Sequence, residues 1–124
     1  MYLDWLNRTA DLSQPLRGLR AGAPGVMKAF AAMSQAALKT NALDSKTKEL
    51  IALAIGVATR CDDCIAFHAK AAIDRGATRE EIMETLGLAI YMGAGPSVMY
   101  ASHAAEAAEQ IMTAKMATPP PAQD

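Results

Sequence analysis

Aromatic residues are scarce in this chain: one Trp, three Tyr and two Phe among 124 residues. A core without large rings has to be assembled from Ala, Leu, Ile, Val and Met. Such side chains let helices approach closely, but the small ones bury little area each. A chain of this length also buries only about two-thirds of the surface its unfolded form exposes. Apolar surface is left over, which predicts self-association. Clustered basic residues are lacking as well. The formal net charge is -1, and Arg17 and Arg20 form only a local exception, so nucleic acid is excluded as an expected partner. The longest apolar run, Leu50 to Ala58, falls short of the roughly 20 residues that span a bilayer, and no membrane association is expected. The opening MYLDWLNRTA has no cationic stretch leading into an apolar one, so it does not read as a secretory leader. The expected location is cytoplasmic. Cysteine is nearly absent, with two in all. Where thiols are kept reduced, such a pair reads as redox-active or metal-binding rather than as a structural staple.

The length is that of one domain. No stretch alternates with the period of two that marks a strand, and the chain reads as all-α. Residues 1–10 predict a short amphipathic helix presenting Leu3 and Leu6, with Trp5 beside them. Residues 11–23, with Pro15, Gly18 and Gly22, predict a connecting loop. Pro24 suits a first helical turn, and Val26, Phe30, Met33 and Ala37 then fall on one helical face, with Asn41 as terminator. Asp44 or Ser45 caps a helix reaching about Arg60; its interior, LIALAIGVA, is apolar all round and predicts a central, buried element. The next helix starts near Cys61 or Asp62 and stops before Gly76. Thr78 and Glu81 make a capping box, with Ala77 and Ile82 as a hydrophobic staple. The helix they open runs to about Met92. Gly93, Ala94, Gly95 and Pro96 predict a turn, and Ser97 to about Ala114 a last helix. The expected division is 1–23 as N-terminal helix and loop, 24–115 as the helical domain, and 116–124 as a disordered tail.

Both thiols sit in one motif, Cys61-x-x-Cys64-x-x-x-His68. Residues four apart share a helix face, so Cys64 and His68 are neighbours, and Cys61 lies about one turn toward the N-terminus. A helix start or an adjacent imidazole lowers a thiol pKa from its usual value of about 8.5, and the thiolate is the reactive form. The set supplies a nucleophile, a base in His68 and a second sulfur to trap an oxidised product. If the two central helices form an antiparallel hairpin turning near residue 60, Glu49 stands within about 6 Å along the axis of the level of His68. From there it can orient the imidazole, directly or through water; its plainer reading is a first-turn acid favoured by the helix dipole. Asp62 and Asp63 also suit a helix start, but as anions they raise nearby thiol pKa values and so favour Cys64, nearer His68, as the attacking sulfur. His103 reads as an ordinary helix histidine. Met83, Met92 and Met99 read as core or subunit contact, with an apolar pocket wall, to which Tyr100 contributes, as their functional alternative.

Glu49, eleven residues, Cys61-x-x-Cys64, three residues and His68 together resemble the motif of the alkylhydroperoxidase D (AhpD)-like, carboxymuconolactone decarboxylase superfamily. The likeness runs through LDSKTKELIALAIGVATRCDDCIAFHAKAAIDRGATREEIMETLGLAIYMGAGPSVMYA, about half the chain. The Gly76-Ala77-Thr78 turn, the following Glu-Glu-Ile and the Gly93/Gly95 turn look like family features. The resemblance implies an all-α bundle of about six helices, with the CxxC at the start of a helix in a central antiparallel hairpin. It implies assembly as a trimer or hexamer and a thiol peroxidase or disulfide reductase that needs no cofactor. By position, Cys64 attacks the peroxide, Cys61 resolves it, and Glu49 and His68 relay protons. The expected partners are a small-molecule hydroperoxide and a dithiol electron donor, a lipoyl protein or a thioredoxin-like one. One departure stands out: alkylhydroperoxidase D has a histidine before the second cysteine, where this chain has Asp63. True carboxymuconolactone decarboxylases do not use a CxxC, which disfavours that activity. Two alternatives remain open at this point: a redox-sensing oligomeric scaffold without efficient turnover, and a zinc module using both thiols, His68 and Glu49.

Overall fold

The computed structural model describes residues 1–118 and is helical throughout, with six helices: α1 (Trp5–Asp11), α2 (Ser13–Gly22), α3 (Pro24–Leu38), α4 (Ser45–Ala58), α5 (Asp62–Asp74) and α6 (Arg79–Ala117). The local signals for their ends are direct. The Asp44 carboxylate accepts the Thr47 amide at 2.7 Å and opens α4. Thr78 and Glu81 form a reciprocal capping box at α6, with Ala77 and Ile82 buried beside it. Gly76, at φ +91°, takes the left-handed position that closes α5. The Ala77 amide reaches back to the Ala72 carbonyl and the Gly76 amide to that of Ile73, both at 3.0 Å, the double bond of a Schellman motif.

The core is a three-helix unit. α4 and α5 form an antiparallel hairpin across the turn at residues 59–61, and α6 lies against both. Leu53 and Val57 of α4, Ile65 and Ala69 of α5, and Ile82 and Ala104 of α6 are among the residues wholly removed from solvent. Alanines make up much of α5 and of the second half of α6, and they set close helix separation. α6 bends at Ala94, whose backbone is non-helical (φ 53°, ψ -137°). Pro96 begins the second half, where its missing N–H costs nothing. A side chain at Gly93 would put its Cβ 1.9 Å from the Ser97 hydroxyl, so only glycine fits under the bend. The break expected at 93–96 is thus present at Ala94, between the two helical halves of α6; the second half runs to Ala117, beyond the expected end near Ala114, and residues 119–124 of the expected tail lie outside the described residues.

The N-terminal third departs further from expectation. Residues 11–23 hold a helix, α2, not a loop. Pro15 falls in its first turn, where no intrahelical N–H is needed, and the two glycines each weaken a helix by only about 1 kcal/mol. In α1 the buried residue is Trp5, while Leu6 is exposed. Trp5 ties residues 1–11 into the core. Its indole N–H donates to Glu106 at 2.8 Å and its amide to Gln110 at 2.8 Å. Glu106 also accepts the Tyr2 amide at 2.8 Å, and Gln110 donates to the Leu3 carbonyl at 3.0 Å. α3 ends at Leu38, three residues before Asn41, and neither α2 nor α3 contains a buried residue. Val26, Phe30 and Met33 do share a face of α3, but that face is open to solvent. α4 is not buried all round either: Ile51 and Ile55 are exposed, because α5 and α6 cover only one side of it.

Candidate active site

The α4–α5 turn builds the site. Arg60 adopts a left-handed backbone (φ 58°). Its amide bonds to the Val57 carbonyl at 3.2 Å and the next amide, that of Cys61, to the Gly56 carbonyl at 3.0 Å, again a Schellman closure. Cys61 is therefore delivered as the N-cap of α5, and its sulfur accepts the Cys64 amide at 3.1 Å. The two cysteines are joined as a disulfide with their Cα atoms 5.2 Å apart. Gly56 lets the hairpin close behind them: a Cβ there would stand 3.2 Å from the Cys64 Cβ.

One turn further along α5, His68 Nδ1 lies 2.6 Å from Glu49 Oε2. Glu49 is 2% exposed and the His68 side chain 28%. With the carboxylate accepting, Nδ1 carries the proton, which leaves Nε2 as the imidazole's free base or its second N–H. Arg75 Nη1 stands 3.9 Å from the other Glu49 oxygen. Glu49 is thus a buried anion held between an imidazole and a guanidinium, more than a first-turn acid facing water. The four residues singled out from the motif all lie on the α4–α5 hairpin. The disulfide joins Cys61 and Cys64 into one pair, and a short hydrogen bond joins Glu49 and His68 into the other.

The two residues between the cysteines are gripped from the N-terminus. The Arg8 guanidinium donates through Nε to Asp63 at 2.6 Å. The Tyr2 hydroxyl donates to Asp62 at 2.8 Å, and this bond to an anion raises the Tyr2 phenol above its ordinary pKa. The other Asp62 oxygen is buried without a hydrogen-bond partner among the described residues. Two anions beside the thiols, expected to oppose thiolate formation, are therefore partly offset, one by a cation and one by a phenol O–H. Nothing in the spacing of Arg8 or Tyr2 signals this, because 55 and 60 residues separate them from their partners. Behind this grip, His103 stacks on the Tyr2 ring at 3.7 Å and meets Tyr100 edge-on at 5.3 Å. Tyr100 packs there rather than against an apolar pocket. Met83, Met92 and Met99 are all exposed, not core. Among the described residues, no three His, Cys, Asp or Glu side chains cluster in a way that would hold a metal ion, and no helix is long and apolar enough to cross a membrane.

Residues 24–107 match the model of the carboxymuconolactone decarboxylase family. An uncharacterised protein of Cupriavidus necator is 39% identical over 104 residues, covering 84% of this chain and 92% of its own. One from the cox locus of Paracoccus denitrificans is 39% identical over 108 residues, covering 82% and 96%. Among solved structures, a carboxymuconolactone decarboxylase family protein from Legionella pneumophila superposes with a TM-score of 0.83 at 48% identity, covering 86% of this chain and 96% of that one. A family protein from Thermotoga maritima, described as possibly involved in antioxidative response, gives 0.80 at 28% identity, covering 87% and 92%.

Proposed function

Because this chain belongs to the carboxymuconolactone decarboxylase family and carries its two cysteines as a CxxC, we propose that it is a thiol-dependent peroxidase and disulfide oxidoreductase of the alkylhydroperoxidase D-like kind. The observation that carries the reading is the buried Glu49 bonded to His68 at 2.6 Å, one helical turn from a cysteine pair that already closes to a disulfide. A dedicated buried carboxylate behind an imidazole is the arrangement that keeps a ring oriented as a base.

In the reduced enzyme His68, held by Glu49, takes the Cys64 proton. The Cys64 thiolate attacks the terminal oxygen of a hydroperoxide. The O–O bond breaks, the alkoxide leaves and is protonated to the alcohol, and Cys64 becomes a sulfenic acid. The Cys61 sulfur displaces hydroxide from that sulfur, water departs, and the Cys61–Cys64 disulfide forms. A dithiol donor, a lipoyl protein or a thioredoxin-like one, then reduces the pair by thiol–disulfide exchange and is itself oxidised. The site residues are Cys64 as nucleophile, Cys61 as resolving thiol, His68 as base and Glu49 as its positioning carboxylate. A reducing compartment, the cytoplasm, suits such a cycle, and the enzyme works as a homo-oligomer, a trimer or hexamer.

Counting thiols before and after one equivalent of an organic hydroperoxide tests the chemistry. Wild type loses both thiols, Cys61→Ser accumulates a sulfenic acid, and Cys64→Ser does not consume peroxide. Full consumption by Cys64→Ser would remove the assignment. A second reading, a redox-sensing scaffold, is favoured by one observation: Asp63, held by Arg8, stands where alkylhydroperoxidase D resembles this chain but places a histidine. Slow, substoichiometric peroxide loss with intact disulfide closure would select it.

A further inference from the structure

A left-handed backbone is easy for glycine and costly for other residues, because a Cβ crowds the following carbonyl. Gly76 takes that conformation where α5 ends (φ +91°). Where α4 ends, the same kind of closure falls on Arg60 (φ 58°). Glycine would serve this turn without steric cost, so the turn itself does not call for an arginine. Backbone strain of this kind gathers at binding and catalytic sites. The Arg60 side chain is exposed, and among the described residues it joins no salt bridge. The charged groups around the cysteines are all engaged elsewhere: Asp63 with Arg8 at 2.6 Å, Asp62 with the Tyr2 hydroxyl at 2.8 Å, and His68 with Glu49 at 2.6 Å. Arg60 therefore presents an unpaired guanidinium, among the described residues, from the position directly before Cys61.

We infer that Arg60 is the docking residue for the dithiol that regenerates the pair, and that this reductant carries a carboxylate beside its thiols. The inference rests on the redox role proposed for Cys61 and Cys64. Chemistry decides which sulfur the reductant meets. A thiolate attacking a disulfide expels the sulfur that leaves more readily. Cys64 has His68 one helical turn away to supply a proton to the leaving thiolate, whereas Cys61 is followed by two carboxylates. The donor thiolate therefore bonds to the Cys61 sulfur, the Cys61–Cys64 bond breaks, and Cys64 leaves and takes a proton from the His68 imidazolium. The donor's second thiolate then attacks the donor sulfur joined to Cys61. Cys61 leaves as a thiolate and is protonated by solvent. The donor departs as a disulfide, oxidised by two electrons, and the two protons its thiols release balance the two that the cysteines take up. Through both steps the reductant stays at Cys61, beside Arg60. Asp62 and Asp63 do little to repel its carboxylate. Arg8 meets the charge of Asp63, and Asp62 gives one oxygen to Tyr2 while its other is buried.

The test starts from oxidised protein and uses no peroxide, so its failure is distinct from a failure of the peroxide thiol count. Reduction of the disulfide is timed with dihydrolipoate and with dihydrolipoamide, which share one dithiol and differ in a carboxylate. Wild type should prefer the carboxylate about two- to fivefold, as an exposed ion pair warrants, and salt should shrink the preference. Arg60→Gly should abolish it, with helix content and light scattering as in wild type, because glycine suits the backbone there. Arg60→Lys should retain it. Comparing each variant's ratio with that of wild type cancels any intrinsic difference between the two reductants. Dihydrolipoyl-lysine peptides flanked by Asp or by Asn separate a carboxylate on a donor protein from one on the dithiol itself. A preference in either matched pair that Arg60→Gly removes supports the assignment; no preference in either pair, or one that Arg60→Gly keeps, overturns it. Equal slowing of Arg60→Gly toward both reductants, slower oxidation by a neutral hydroperoxide, or an altered assembly state would also overturn it, since Arg60 would then act on the thiols or on a subunit contact. Should Arg60→Gly lose helix content, Arg60→Gln replaces it with the same outcomes. Brief exposure to the monothiol 3-mercaptopropionate, followed by alkylation and peptide mapping, should place the mixed disulfide on Cys61; an adduct on Cys64 instead would overturn the docking at Arg60.

Discussion

Glu49→Gln isolates the charge behind the imidazole with almost no change in shape. In the structure Glu49 is 2% exposed and its Oε2 lies 2.6 Å from His68 Nδ1. A hydrogen bond to a charged group contributes about 1.5–3 kcal/mol and a neutral one about 0.5–1.5. An amide can still accept the Nδ1–H, so the variant loses the difference, about 1–1.5 kcal/mol of stabilisation for the imidazolium that forms as Cys64 gives up its proton. At 1.36 kcal/mol per factor of ten, that slows the oxidation step roughly 5- to 13-fold. The assay is a single turnover: reduced protein is mixed with excess organic hydroperoxide, quenched over time and titrated for remaining thiol. Urea unfolding run alongside shows whether the fold is retained. Glu49→Ala should be slower still, because it also leaves His68 and Arg75 without their shared anion. If Glu49→Gln stays folded and oxidises within twofold of wild type, the carboxylate does not support the base, and the proposed relay is wrong at its first step.

Four further outcomes follow from the packing and the charges. Trp5→Ala should cost about 3–5 kcal/mol in denaturant unfolding, the usual range for truncating a buried large aromatic, since Trp5 anchors residues 1–11 to α6; a loss below about 1.5 kcal/mol would show the segment to be dispensable. Gly93→Ala should lose about 1–3 kcal/mol, because the new Cβ meets the buried Ser97 hydroxyl, and Gly93→Ala/Ser97→Ala should recover part of it. Acid should release the N-terminal segment: the Trp5 indole and the Tyr2 and Leu3 amides hold the Glu106 carboxyl below its ordinary range. A depressed carboxylate stabilises the fold above its unfolded value, near 4.3, and loses that contribution as pH falls through the lower folded value. The chain's single tryptophan reports the change by fluorescence, and Glu106→Gln should abolish its pH dependence. Arg8→Ala should slow thiol oxidation at neutral pH by roughly two- to fivefold, as an exposed ion pair warrants, because Asp63 is then no longer offset beside the thiols; an unchanged pH–rate profile would deny Arg8 that influence.

What could be read from the chain and what could not divide along sequence distance. The Asp44 cap, the Thr78–Glu81 box, Gly76 and the break at Gly93–Pro96 are written within four or five residues of where they act, and all appear where their chemistry places them. The α4–α5 hairpin was legible for the same reason, since the turn before Cys61 and the helical offset from Cys64 to His68 are local. From that hairpin the approach of Glu49 to His68 follows by counting turns. α2 was missed because Pro15 and two glycines count against a helix in any composition-based reading, although a first-turn proline carries no penalty once the helix start is known. The apolar stripe of α3 was legible as a stripe, but periodicity cannot say whether a face meets the chain's own core or remains open.

The Asp63 position shows where local reading inverts its conclusion. Taken alone, a carboxylate between two cysteines opposes thiolate formation, and the natural inference is a less reactive pair. Arg8, 55 residues away, reaches that carboxylate only because Trp5 pins α1 against α6 beside the start of α5. The charge felt at the cysteines therefore belongs to the Arg8–Asp63 couple, with Tyr2 and Asp62 as a second couple next to it. Both couples depend on the seating of residues 1–11. A loss of the Trp5 anchor should then reach the thiols without touching any residue of the Glu49–His68 pair. Segment release and thiol reactivity become one linked property of this fold rather than two.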